Sequence, residues 1–212
     1  MRCAMTEHPQ LDDLVFVDVD TQVDFMLPGG RLYVPHAEDI IPNLRELMWW
    51  ARAHNVPIVS TSDAHAPDDA EFVQWPPHCV AGTPGQKHIP ETLCSDAVVV
   101  ENSPGAFHMP RRWIGQIVVE KQVYDFTTNA NIEAILASLG RPRFVVFGVA
   151  TEYCVRSSVL SLRNRNLPVA VVQDAIKSIR EEAGRKAIAE MVAAGARLVT
   201  TADVCRPTPR KE

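Results

Sequence analysis

The sequence predicts an α/β fold of three layers, αβα, in which helices cover both faces of a central, mostly parallel sheet. Two observations lead to this fold class. Short, continuous runs of apolar and β-branched residues recur along the chain, as in parallel strands that are buried on both faces. Amphipathic stretches with helical spacing separate these runs, so strands and helices alternate.

Seven apolar runs are predicted as strands. They are short, and most of them do not alternate between apolar and polar residues. A proline-punctuated stretch, 62–93, follows the second run and is too long to be a simple connection, and long loops in compact domains are usually functional. In chain order, the predicted strands are 14–19, 56–61, 97–101, 117–121, 143–149, 167–173 and 197–200.

Four amphipathic stretches are predicted as helices. The first carries Ile40, Leu44 and Leu47 at helical spacing. Gly140 ends the second helix and Gly195 ends the fourth, as glycine often does at a helix C-terminus. In chain order, the predicted helices are 39–54, 130–139, 152–164 and 181–194.

The length of the chain, 212 residues, is that of one domain with a substantial core. We expect a single domain over residues 1–212, with an ordered core from about 11 to 204 and a flexible tail from about Pro207. The chain has 21 basic and 26 acidic residues and therefore a net charge of −5. This charge argues against binding to nucleic acid or to an anionic membrane through bulk electrostatics.

The cysteines indicate a reducing compartment. Their number is odd, their spacing is scattered and they form no CxxC motif, so they are not a disulfide framework. The N-terminus has no apolar signal core, and no segment is long enough to span a membrane. We expect a cytoplasmic protein that forms a homo-oligomer. The five cysteines are Cys3, Cys79, Cys94, Cys154 and Cys205.

A group of potential metal ligands lies in the proline-punctuated stretch. Asp63 and His65 come directly after an apolar run, Glu71 follows, and His78 stands after two prolines. A mixed set of carboxylates and imidazoles suits Zn, Fe or Mn better than Ca or Mg. The alternative is a loop cap beside a surface histidine.

Three further reactive side chains stand where predicted strands end: Asp20, Lys121 and Cys154. Ligands bind at this edge of open α/β sheets, so we expect these side chains to converge there. Cys154 would lie in the first turn of a helix, where the helix dipole favours the thiolate and backbone amides can form an oxyanion hole. The alternatives are a buried structural cysteine, a turn-forming aspartate and a solvent-exposed lysine.

With these residues assembled, the chain resembles the nicotinamidase branch of the isochorismatase-like cysteine hydrolases, from about residue 14 to 202. Four separate motifs carry the resemblance in the expected order. VDTQVDF occupies 19–25, Asp-x-His at 63–65 is followed by WPPHCVAGT at 75–83, a lysine stands at 121, and GVATEYCV occupies 148–155.

The resemblance implies a catalytic triad of Cys154, Lys121 and Asp20. Asp20 would take the proton of the cysteine, and the thiolate would attack the amide carbon to give a thioester that water hydrolyses. A cis peptide bond before Ala150 would aim the amides of Ala150 and Cys154 into the oxyanion hole.

The resemblance also implies how substrate and metal are held. Phe25 and Trp75 would enclose the substrate ring together with Ala150, and the metal would bind the pyridine nitrogen. The third metal ligand is often histidine in the family, whereas this chain offers Asp69 and Glu71. We favour Glu71 and place Asp69 in solvent.

The expected activity is hydrolysis of nicotinamide, or of a close aromatic amide, to the acid and ammonia, within NAD salvage. The expected cofactor is one divalent ion, Zn, Fe or Mn, and the expected partner is the small-molecule amide. Three alternatives remain: a sister hydrolase acting on another small carboxamide, a non-catalytic binding protein on the same fold, and a haloacid-dehalogenase-like phosphatase. The last is suggested by Asp18 and Asp20 at a strand end.

Overall fold

A computed structural model describes residues 14–105, 107 and 115–206. Within them, seven strands form one sheet in the order β3-β4-β2-β1-β5-β6-β7, and every neighbouring pair is parallel. The sheet is thus parallel throughout. The strands are β1 (Leu14–Val19), β2 (Ile58–Asp63), β3 (Val98–Val100), β4 (Gln116–Lys121), β5 (Arg143–Val149), β6 (Val169–Lys177) and β7 (Arg197–Val199).

Six α-helices connect or flank the strands. Short 3₁₀ turns at Ala37–Ile40, Ala70–Val73, Pro84–Gln86 and Phe126–Thr128 lie between them, and a π-helical turn, Thr151–Val155, precedes the fourth helix. The helices are α1 (Val23–Met26), α2 (Ile41–Ala53), α3 (Ile132–Leu139), α4 (Arg156–Asn164), α5 (Glu181–Ala193) and α6 (Thr201–Cys205).

Alternating side chains of the central strand divide the core into two halves. Val15, Val17 and Val19 of β1 face one cluster, which also receives buried side chains of α3, α4 and α5. Phe16 faces the other cluster, together with α1 and α2, and α6 packs against it. Because successive strand residues point to opposite faces, helices cover both sides of the sheet. The predicted three-layer α/β fold class is therefore confirmed.

The four central strands, β4, β2, β1 and β5, end at the same edge of the sheet. Asp20 directly follows β1, and its positive φ of 49° turns the chain out of the strand. β2 runs two residues further than predicted because Asp63 still pairs with Lys121 of β4. This edge carries the candidate site.

Some expectations concern parts of the chain that the structure does not describe. Residues 11–13 of the expected core and the tail from Pro207 lie outside the described residues, as does Cys3. Across the described residues, no helix combines the length and apolar character needed to cross a membrane.

Candidate active site and metal centre

A buried cluster of charged and nucleophilic groups lies at the shared strand edge. Lys121 Nζ is 2.8 Å from Asp20 Oδ2 and 3.6 Å from Cys154 Sγ, and it also contacts Asp63 Oδ1. Asp20 and Lys121 are fully buried. The Asp20 and Asp63 carboxylates and Cys154 Sγ each offer an atom within 4.8 Å of the others. The structure thus brings together the three side chains that the sequence places at strand ends.

Burial and the central ammonium set the protonation states of this cluster. Burial lowers the pKa of Lys121, but Asp20 and Asp63 outweigh it and hold that pKa well above its ordinary value. Burial raises the pKa of Asp20, with Lys121 opposing this only in part. Burial also raises the pKa of Cys154, although the nearby Lys121 lowers it. The resting group is therefore a thiol next to a carboxylate of raised basicity.

The upward shift of the Cys154 pKa is opposite to the downward shift expected from its position in the sequence. A helix N-terminus and a nearby cation each lower a thiol pKa, whereas burial in apolar surroundings raises it. Here the cysteine is 5% exposed and faces the carboxylates of Asp20 and Asp63, which raise its pKa further. Burial and these two carboxylates act against the depressed pKa that the sequence position suggested.

The backbone around Cys154 departs from an ordinary strand-to-helix turn. β5 ends at Val149, the Val149–Ala150 peptide bond is cis, and the π-helical turn follows at once. The carbonyl of Ala150 accepts hydrogen bonds from the amides of Tyr153 (3.1 Å) and Val155 (3.2 Å), and the amide of Cys154 lies between these two in sequence. Cys154 therefore sits in a π-helical turn rather than in the first turn of an α-helix.

Three of the predicted metal ligands, Asp63, His65 and His78, come together beside Lys121, and the fourth, Glu71, approaches His65. Asp63 Oδ2 lies 3.7 Å from His65 Nε2 and 3.8 Å from His78 Nε2, and Glu71 Oε2 lies 3.9 Å from His65 Nε2. Two atoms that share an ion at about 2.1 Å can be at most about 4.2 Å apart. All three distances meet this limit, although Glu71 stands outside the mutually close group of Asp63, His65 and His78.

Two further features fit a divalent cation at these residues. His65 Nε2 is buried and has no hydrogen-bond partner, which is costly unless something else binds it. Burial lowers the pKa of His65, yet Asp63 and Asp69 outweigh it and raise that pKa to about 9. The carboxylates therefore create a negative potential at His65, and the donor set is the mixed one that Zn, Fe or Mn prefers.

The structure corrects the expectation that Asp69 lies in solvent. Asp69 Oδ2 is 3.0 Å from His65 Nδ1, the nitrogen that faces away from Asp63, and Asp69 Oδ1 accepts a hydrogen bond from the amide of Glu71. A carboxylate on the second nitrogen of a histidine fixes its ring and tautomer. Asp69 thus orients His65, and Glu71 is the carboxylate that points at Nε2.

A narrow cavity of about 30 Å³ opens next to the cluster and is lined by Phe25, Trp75, Tyr124 and Tyr153 as well as by Cys154. The Phe25 ring lies 5.4 Å from that of His78, and the Trp75 ring packs edge-on against Tyr153 at 5.3 Å. Ala150 lines the cavity too. Its wall is largely aromatic, as in many sites for small molecules.

Sequence reasoning missed Tyr124 and Tyr153 as cavity residues. Tyr124 OH accepts a 2.9 Å hydrogen bond from the indole Nε1 of Trp75, and the two tyrosine rings lie 5.4 Å apart. Tyr124 follows Lys121 by three residues, and Tyr153 directly precedes Cys154 in the π-helical turn. The short distance in sequence from a reactive residue was the feature that could have identified both tyrosines as cavity residues.

Comparison with known proteins finds relatives along the whole sheet. The isochorismatase domain family matches residues 14–113 and 95–203. The nicotinamidase of Escherichia coli K12 is 29% identical over 206 residues, covering 87% of this chain and 93% of that protein. The pyrazinamidase of Pyrococcus horikoshii, solved in complex with zinc, is 29% identical with a TM-score of 0.73, covering 89% and 99%. N-carbamoylsarcosine amidase of Thermoplasma acidophilum is 25% identical with a TM-score of 0.72, covering 94% and 99%.

Proposed function

Because the chain belongs to the isochorismatase family, we propose that it is a metal-dependent cysteine amidohydrolase that converts nicotinamide, or a close aromatic amide, to the acid and ammonia. The observation that carries this proposal is the buried contact of Lys121 with both Asp20 and Cys154 at the mouth of an aromatic cavity. The similarity to nicotinamidases supports the choice of amide.

The first half of the reaction makes a thioester. Asp20 accepts the thiol proton of Cys154, and the sulfur forms a bond to the amide carbon. The oxygen of the tetrahedral intermediate receives hydrogen bonds from the backbone amides of Ala150 and Cys154. Asp20 then returns the proton to the amide nitrogen, the C–N bond breaks and ammonia leaves.

The second half regenerates the enzyme. A water molecule gives its proton to Asp20 and attacks the thioester carbon, and the C–S bond breaks to release the acid. The proton passes from Asp20 back to the sulfur of Cys154. Lys121 keeps its charge throughout, because its two carboxylate neighbours hold its pKa well above the ordinary value against the effect of burial. Its charge stabilises the thiolate as it forms.

Asp63, His65, Glu71 and His78 would hold the metal ion, which when bound supplies a fixed positive charge and Lewis acidity at the cavity. The chain's own residues do the remaining positioning. Phe25 and the Trp75 indole confine a flat ring. We also propose that the protein binds a single Zn, Fe or Mn ion and acts in NAD salvage. It would do so in the cytoplasm, as a homo-oligomer.

A second candidate is hydrolysis of a small ureido compound. The likeness to N-carbamoylsarcosine amidase favours it, since its TM-score nearly equals that of the pyrazinamidase. The phosphatase alternative is not supported, because it needs Asp18 at the reaction centre. That carboxylate is fully buried and accepts hydrogen bonds from the hydroxyls of Thr21 and Ser60.

The experiment is a measurement of ammonia release from a small panel of compounds by the metal-loaded protein. Nicotinamide and pyrazinamide represent the first candidate, and N-carbamoyl amino acids the second. We expect turnover of the aromatic amides with a kcat/KM at least tenfold above that of the ureido compounds. The reverse order would favour the second candidate, and no release from any compound would support the non-catalytic alternative.

A further inference from the structure

Asp63 has an unusual backbone environment at the end of β2. In a parallel ladder, alternate residues face opposite neighbours, and Thr61 faces β1, where its carbonyl accepts from the amide of Asp20 at 3.2 Å. Asp63, two residues on, faces the same side. β1 has ended by then, because Asp20 turns the chain away. The backbone amide and carbonyl of Asp63 therefore have no strand to pair with.

The side chain of Gln22 takes the place of the missing strand. Its Oε1 accepts from the amide of Asp63 at 2.8 Å, and its Nε2 donates to the carbonyl of Asp63 at 2.8 Å. The second Nε2 proton goes to the carbonyl of Gln86 at 2.7 Å. A primary amide matches a peptide group in its donor and acceptor, so this one side chain completes the ladder.

Every hydrogen bond of this side chain goes to backbone, and Gln22 is fully buried. It therefore cannot reach substrate as a chemical group, and a role in the reaction must pass through Asp63. The carboxylate of Asp63 has two tasks in the proposed site, since one oxygen contacts Lys121 and the other faces His65 and His78.

We infer that Gln22 is a positioning residue, which fixes the backbone of Asp63 so that its carboxylate can serve the metal ion and Lys121 at once. The inference rests on the metal centre of the proposed function. It also explains why a buried glutamine stands two residues after Asp20. Here the chain has left β1, and the Gln22 side chain reaches the unpaired backbone of Asp63 at the end of β2.

The chain offers a matched control in Gln116. This glutamine is also buried, and its side chain also makes two donated bonds and one accepted bond, to Ser60 Oγ, to the carbonyl of Thr92 and from the amide of Cys94. It stands at the start of β4, five residues before Lys121, which is about 17 Å along a strand. Its replacement tests the cost of losing a buried amide away from the site.

The test compares Gln22→Glu with Gln116→Glu. Each substitution keeps the shape and replaces the amide donor with an oxygen that repels the facing acceptors. Affinity for Zn²⁺ is measured by competition with a chromophoric chelator, and the absorption spectrum of the Co²⁺-loaded protein reports the ligand geometry. We expect Gln22→Glu to weaken Zn²⁺ binding by about 10–100-fold and to change the Co²⁺ spectrum. Gln116→Glu should lower the unfolding midpoint and leave both metal readouts unchanged.

If either glutamate variant does not fold, Gln22→Met and Gln116→Met form the second pair, with the same expectation. The positioning role would be overturned, without affecting the metal centre, by either of two results. One is wild-type Zn²⁺ affinity in a folded Gln22 variant, and the other is an equal loss of Zn²⁺ affinity in both variants of a pair. Failure of the wild-type protein to bind Zn²⁺ or Co²⁺ would overturn the metal centre and this inference with it. Amide turnover is a separate readout and tests the proposed reaction.

Discussion

Replacing Lys121 by methionine should cost the protein a large share of its stability. The side chain is fully buried, with its Nζ 2.8 Å from Asp20 Oδ2 and in contact with Asp63. Methionine has a similar shape but no charge, so two carboxylates would remain buried without a counterion. Removing one partner of a buried ion pair costs about 3–5 kcal/mol. At about 2–4 °C per kcal/mol for this chain length, the Tm should fall by about 6–20 °C.

The assay is urea unfolding followed by circular dichroism, with a chelator present for both proteins so that metal release does not contribute. Lys186→Met is the control: that lysine is exposed on α5 and pairs only with Glu182, so its loss should leave the midpoint unchanged. Adding Asp20→Asn to Lys121→Met should recover stability, since it removes one uncompensated charge.

The pH dependence gives an independent check on the same variant. Burial raises the pKa of Asp20 in the folded protein, so the folded state takes up this proton at a higher pH than the unfolded state does. Protonation of Asp20 should therefore add stability as the pH falls through the raised value. In the wild type Asp63 acts in the opposite sense because, although burial raises its pKa, Lys121 holds that pKa below the ordinary value. Lys121→Met lacks that ammonium, so the deficit of the variant should shrink in acid. A variant within about 1 kcal/mol of wild type, or a deficit that grows in acid, would refute the reasoning that Lys121 compensates buried charge.

Three further substitutions test the cavity and the metal centre. Tyr124→Phe removes the acceptor of the Trp75 indole N–H. The loss of this bond should raise the KM for nicotinamide about fivefold with little change in kcat. An unchanged KM would show that the bond does not position the indole. Asp69→Asn should lower Zn²⁺ affinity about 10–100-fold in chelator competition, because the carboxylate orients His65. Glu71→Ala should lose most of the metal in elemental analysis while Glu71→His retains it. Loss of the metal in Asp69→Asn but not in Glu71→Ala would reverse the two roles.

Much of the fold and of the site was predictable because both depend on features that are local in sequence. Parallel strands buried on both faces leave continuous apolar runs, and in such a sheet the strand ends share one edge. Asp20, Asp63, Lys121 and Cys154 could therefore be expected to meet before any distance was known. The structure places them in contact at that edge.

The features that sequence reasoning missed depend on partners that are distant in the chain. β6 extends to Lys177, beyond its apolar run, because it continues to pair with β5 after a register shift between Val146 and Gly148. The pKa of Cys154 follows burial and carboxylates from other strands. The contact of Tyr124 with Trp75 joins residues that are 49 positions apart. None of these leaves a periodic pattern.

Ammonia release from nicotinamide by wild-type protein and by Cys154→Ala tests the mechanism most directly. Both proteins should be compared at equal metal content and with matching circular dichroism spectra, so that only the sulfur differs. The mechanism predicts steady turnover by the wild type and a loss of about 10⁴-fold or more in the variant, because Cys154 is the only cysteine among the described residues that line the cavity. Wild-type turnover by Cys154→Ala would contradict it.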